Sequence, residues 1–128
     1  MDKIIIFFLL GLMVINMGFL IVSGRKATRS LPTPIAHKRG ARVLLGITLV
    51  LIGVIERGVS SRGGLQHLDE LFFIHVTVAT MFLFLLILIN FWLTGEKHPP
   101  LHGLLAYAAL LMFAGMLITG IPLVLRLP

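Results

Sequence analysis

No cysteine occurs among the 128 residues, which excludes disulfide cross-links, thiolate metal ligands and haem attached through a CxxCH pair. Charge is scarce too. Charged residues make up 12% of the chain, and Asp and Glu together number 5. There is no Gly-rich nucleotide loop and no closely spaced pair of carboxylates within an apolar run, so no catalytic residue is nominated. What the chain has instead is apolar length: 58% of it is hydrophobic, and the mean hydropathy is +1.05. No water-soluble domain of this size tolerates such a composition.

The apolar residues form four runs, Ile4 to Val22, Val43 to Ile55, Leu71 to Leu93 and Leu101 to Leu125. At ~1.5 Å of rise per residue, the first, third and fourth are long enough to cross a hydrocarbon core of ~30 Å. The second holds 13 residues and needs its flanks; a start near Ile35 or Ala36, with Arg39 and Arg42 snorkelling to the headgroups, makes it a span. Because a bilayer interior offers the backbone no water, each run is expected to be a helix. The expected fold class is therefore all-α, one integral membrane four-helix bundle over residues 1–128, with spans at about 4–22, 36–57, 69–93 and 100–122. The first run is too long for a signal-peptide core and no A-x-A cleavage pattern follows it, so it is expected to stay as a span. The longest connection, Ser23 to Arg42, leaves any chemistry between the helices or at their ends.

The net charge of +6 reads as a topology signal and not as a nucleic-acid surface, because Arg25, Lys26, Arg29, Lys38, Arg39 and Arg42 all follow the first span. Short loops rich in Lys and Arg stay cytoplasmic. That places Lys97 inside as well, leaves Lys3, Arg57, Arg62 and Arg126 outside, and puts the N-terminus out and the C-terminus out. A basic loop beside such a leaflet attracts anionic lipid. The expected location is a multi-pass place in a bacterial or organellar energy-transducing inner membrane.

Local signals punctuate the spans. Pro32 and Pro34 interrupt the first loop, Gly63-Gly64 mark a turn, and Asp69 and Glu70 stand where carboxylates favour a helix start. Thr94-Gly95 resembles a C-terminal cap, and Pro99-Pro100 suit the first turn of the fourth helix. Small residues recur at sevens, as Gly11 and Gly18, Gly46 and Gly53, and Ala108 and Gly115. Such faces allow close helix approach within the bundle or against another subunit. Asn16 and Asn90, unusual within apolar runs, are expected to bond a neighbouring helix.

Histidine carries the functional question. Ionisable groups in membrane spans are costly, and they face the bundle interior or a partner. His37 and His102 open the second and fourth helices, which run in the same direction from the same side. Two neutral imidazoles at one depth on different helices suit the axial positions of a single haem b. His75, on the antiparallel third helix, lies roughly 20 to 30 Å away by helical rise. It cannot join that pair, and an outer haem would need Met116, another non-histidine ligand or a second protomer. His67, Glu70 and His75 are an alternative metal group at the outer surface. Tyr107 reads as an interfacial or packing aromatic.

The pattern of His37 with Gly40, His75 within the next helix, and His102-Gly103 followed by Leu and Ala and then Gly115 resembles the transmembrane b-type cytochromes of the ascorbate- and quinone-linked electron-transfer kind. The likeness runs from His37 to Gly120, and its motif is histidine, glycine and apolar residues. It implies haem held by histidines of neighbouring helices, electron transfer across the bundle and quinone as a partner, with His75 an outer ligand or a quinone-facing hydrogen-bonding group. The chain departs from the two-haem pattern in lacking a full second ligand pair. The competing expectation is a non-catalytic accessory subunit of a respiratory or photosynthetic membrane complex, or a homo-oligomer, surrounded by membrane lipids and needing only packing faces. A transporter is disfavoured, since Asn16, Thr48, Thr80 and Thr119 are sparse and uncharged for a polar path.

Overall fold

A computed structural model describes residues 2–27, 34–61, 69–94 and 97–126. They form four helices: α1 (Asp2–Ala27), α2 (Ile35–Ser60), α3 (Glu70–Ile87, prolonged by a π-helical turn over Leu88–Trp92) and α4 (Pro99–Leu125). Each is long and apolar enough to cross a membrane. The turn signals at Pro32, Gly63, Gly64 and Gly95, and the metal group that includes His67, lie outside the described residues.

The helix starts follow local chemistry. Pro34 occupies the N-cap of α2, and Pro99-Pro100 fill the first turn of α4, where the N–H that proline lacks has no helical partner to lose. Asp69 caps α3 by accepting the Phe72 amide at 3.2 Å, with Glu70 beside it in the first turn. α1 runs beyond its apolar core at both ends, and α4 continues past Pro122 to Leu125. A proline in the last turn interrupts little of the hydrogen-bond ladder.

Consecutive helices are antiparallel, so α1 starts and α4 ends on one side. Lys3 Nζ donates to the Leu125 carbonyl there at 3.2 Å. This is the terminal end of the bundle; the opposite end carries the starts of α2 and α4. α1 packs along α2 and α3 along α4, while the two hairpins meet more sparingly through α2 with α3 and α1 with α4. Among the described residues the diagonal pairs, α1 with α3 and α2 with α4, make no backbone approach. The helices thus stand in a square.

Its centre is filled by Met13, Leu44, Phe82 and Phe113, with the two phenyl rings 5.6 Å apart. The outer surface is as apolar as the core: Ile15 and Ile118, both mid-helix, are 71% and 73% exposed. A helix that is hydrophobic all round has no watery side to turn outward.

Polar groups inside the square bind helix to helix. Asn16 Nδ2 donates to the Gly40 carbonyl of α2 at 3.0 Å, where the absence of a side chain on Gly40 admits Phe19 and Leu20 of α1. Asn90 Nδ2 donates to Leu86 O of its own helix at 2.8 Å and reaches Ala41 O of α2 at 3.5 Å.

The expectation for the glycines spaced by seven needs correction where it placed them inside the bundle. Gly11, Gly18, Gly46 and Gly53 have open space where a Cβ would stand, and all four are exposed. Only Gly115 of that set meets a neighbouring helix, with Val78 at 3.4 Å. The close crossings are made by Gly40, Gly115 and Gly120, because the residues that face the next helix are set by which side of each helix carries the bulky core residues.

Candidate functional site

The end opposite the termini holds a pair of histidines. His37 lies in the first turn of α2, its amide bonded to Pro34 O at 3.1 Å, and His102 lies in the first turn of α4, its amide bonded to His98 O at 2.8 Å. These are the diagonal helices whose backbones stay apart. At this level their imidazoles bridge the gap, with ring centroids 6.5 Å apart and planes at 69°.

Each ring is held by its Nδ1. His102 Nδ1 lies 3.0 Å from the Leu93 carbonyl; a carbonyl only accepts, so Nδ1 carries the proton and Nε2 keeps its lone pair. The π-helical turn makes this possible. It closes with the Leu93 amide on Leu88 O at 2.7 Å, and the helix ends there, leaving the Leu93 carbonyl free to meet the start of α4. π-turns recur at functional sites for this kind of local re-aiming. His37 Nδ1 lies 2.8 Å from Ser23 Oγ of α1, which also reaches Leu20 O at 3.4 Å. The Ser23 hydroxyl can serve His37 Nδ1 as donor or as acceptor. Beside it, Gly24 leaves the ring its place: a Cβ there would stand 3.3 Å from His37 Cε1.

Neither Nε2 has a hydrogen-bond partner, and among the described residues no buried polar side-chain atom goes unpartnered. Neither Nε2 is therefore sealed off from an incoming group. Two imidazoles on opposite sides of one metal ion, with bonds of about 2 Å, put their ring centres roughly 6 Å apart. The centroid spacing matches that length, and each Nδ1 is hydrogen-bonded, the usual orienting device for metal-ligating histidines. Among the described residues no group of three or more His, Cys, Asp or Glu side chains comes together, so a centre built from protein donors alone is not assembled there.

His75 stands apart, as depth required. It is on α3 near the terminal end, with Nδ1 2.9 Å from Thr119 Oγ1 of α4. The Thr119 hydroxyl donates to Gly115 O at 2.8 Å, so it accepts from His75, whose Nε2 is again unprotonated. The ring lies against Gly120, where a Cβ would come within 2.7 Å of His75 Cε1. His75 lines a cavity of about 840 Å³ between the hairpins, together with Met116, Thr48 and Thr80. At its mouth Arg126 pairs with Asp69 at 2.6 Å, both side chains more than half exposed. The Asp69 carboxyl is held below its ordinary range, first by the Phe72 amide that it caps and then by Arg126. Tyr107 is 71% exposed and belongs to neither place.

Three partners escaped the sequence reading. Ser23 ended an apolar run, Leu93 was one leucine among many, and Thr119 counted only as a sparse hydroxyl. No spacing rule connects them to histidines 14, 9 and 44 residues away in sequence. Comparison of the chain with protein-family models, with curated proteins and with solved structures finds no match.

Proposed function

We propose that the protein is a small multi-pass membrane cytochrome of the b type, with His37 and His102 as the axial ligands of one haem. The observation that carries this is the neighbouring pair of imidazoles on diagonal helices, each held through Nδ1 with no partner at Nε2. Haem b, when bound, supplies a reversible one-electron couple. The chain's own part is to orient the rings: Leu93 O and Ser23 Oγ hold the two Nδ1 atoms, and Gly24 leaves room beside His37. Arg39 and Arg42 on the same stretch of α2 would offset the carboxylates that a haem carries. With the basic loop cytoplasmic, the haem lies toward the cytoplasmic leaflet, both termini lie outside, and an energy-transducing inner membrane is the natural host. A membrane quinone or a neighbouring redox subunit would exchange the electron.

The test is a dithionite-reduced minus air-oxidised visible spectrum of the detergent-purified protein, with haem quantified per chain. A sharp reduced alpha band at about one haem per chain, lost in His37→Ala and His102→Ala and kept in His75→Ala, is expected. A flat spectrum from cells supplied with ample haem, or full haem in the two variants, would remove the basis of the reading.

A second reading, a non-catalytic accessory subunit of a respiratory or photosynthetic complex, is favoured by a different observation. The exposed Gly11, Gly18, Gly46 and Gly53, with nothing within 4 Å of a Cβ position, suit close approach by helices of another chain. Colourless protein that co-purifies with partner subunits would select this reading.

A further inference from the structure

The cavity near the termini has a one-sided chemistry. Its volume of about 840 Å³ lies within the ~300–1,000 Å³ typical of small-molecule sites, and its walls come from all four helices. Toward the terminal end Glu56, Ser60, Asp69 and Arg126 line it, and deeper its side-chain polar groups are Thr48, His75 and Thr80. Thr48 donates its only proton to Leu44 O and Thr80 donates its own to Val76 O, each at 2.8 Å. His75 gives its Nδ1 proton to Thr119, which has itself donated to Gly115 O. These three donors are thus spent inside the protein, and at this depth the side chains offer the cavity acceptors. His75 Nε2 is the strongest of them, and the His75 ring lines the cavity. The remaining charged donor, Arg126, is at the mouth and tied to Asp69.

We propose that this cavity binds a lipophilic molecule bearing a hydroxyl, which donates to His75 Nε2 while its apolar body fills the wedge between the hairpins. A ligand with only carbonyl or ether oxygens would bring acceptors to acceptors, and the desolvation of its oxygen would go uncompensated. An anionic group finds no free cation in the lining, since Arg126 is paired with Asp69. A neutral alcohol or phenol with an alkyl body is the class that suits an acceptor set among apolar walls. This site does not rest on the haem reading, which concerns the other end of the bundle.

The experiment is equilibrium dialysis of the detergent-purified full chain against 4-octylphenol and its methyl ether, which differ only in the donor proton, with empty micelles as the partition control. The phenol should bind saturably at one per chain, and the ether about tenfold more weakly. In His75→Phe the two should bind alike. In Ala79→Phe, which fills the cavity and leaves His75 in place, saturable binding of both should vanish; circular dichroism checks that each variant is folded. 1-Dodecanol separates the two sources of the chemistry: binding as tight as the phenol indicates an aliphatic hydroxyl lipid, and binding tenfold weaker indicates an aromatic alcohol. Equal binding of phenol and ether by the wild-type chain, uptake no greater than that of empty micelles, or discrimination that survives in His75→Phe would each overturn the proposal.

Discussion

Replacing Gly120 by alanine should dislodge His75. The added Cβ would stand 2.7 Å from His75 Cε1 and 3.3 Å from Nδ1, whereas carbon atoms settle at about 3.5–4.0 Å. The ring can relieve this overlap of about 1 Å only by swinging off α4, and the swing breaks the 2.9 Å bond to Thr119. Overpacking of this kind costs about 1–3 kcal/mol, and an interhelical hydrogen bond in a membrane protein contributes about 0.6 kcal/mol on average. Against these stands the better helix propensity of alanine, up to about 1 kcal/mol. A net loss of about 1–2 kcal/mol follows from those figures. Gly46→Ala, whose Cβ would meet nothing within 4 Å, is the control and should be neutral or stabilising. Unfolding by SDS titration from mild detergent, followed by circular dichroism, gives the energies; nitrogen-15 NMR of the histidines reports the tautomer of His75. Equal stability of the two alanine variants, with the His75 signals unchanged, would refute the packing argument.

Three further outcomes follow from other contacts. Gly40→Ala would bring a Cβ to 2.9 Å from Phe19 Cε1 and 3.1 Å from Leu20 Cδ2, so the α1–α2 hairpin should weaken by about 1–3 kcal/mol in the same titration. Ser23→Ala removes the hydrogen-bond partner of His37 Nδ1; haem retention against an apo-globin acceptor should fall by about 10- to 100-fold, the usual effect of losing a residue that orients a ligand. The Asp69 carboxyl titrates below its ordinary value, so its contribution is present above that value and is lost as pH falls through the lowered one. The thermal midpoint should therefore hold steady above the usual carboxylate range of about 4 and decline below it, and Asp69→Asn should flatten that decline.

The helices were legible because the bilayer argument needs only apolar length, and their starts because Pro34, Asp69, Pro99 and Pro100 act within one turn of themselves. The level shared by His37 and His102 was legible for the same reason: both sit one turn into helices that begin on the same side. What held those rings was not. The Leu93 carbonyl becomes available through a π-helical turn, which leaves no compositional mark, and Ser23 and Thr119 meet histidines through the lateral placement of helices. The glycines left two alternatives open in a related way. Spacing by seven says that Gly46 and Gly53 share a face, but only the packed hairpin shows that this face points away from the other helices.

The central claim is a haem held between His37 and His102, and low-temperature electron paramagnetic resonance of the air-oxidised protein tests it most directly. If a haem were held there with the two imidazole planes kept 69° apart, the π-type d orbitals of its iron would be close in energy, and the low-spin ferric signal would be stretched to a high maximum g value in place of the compact rhombic pattern of parallel rings. The account predicts that stretched low-spin signal at about one spin per chain, replaced by a high-spin signal or by no haem in His37→Ala and His102→Ala. A preparation without haem, or a ferric signal that both variants leave unchanged, would contradict it.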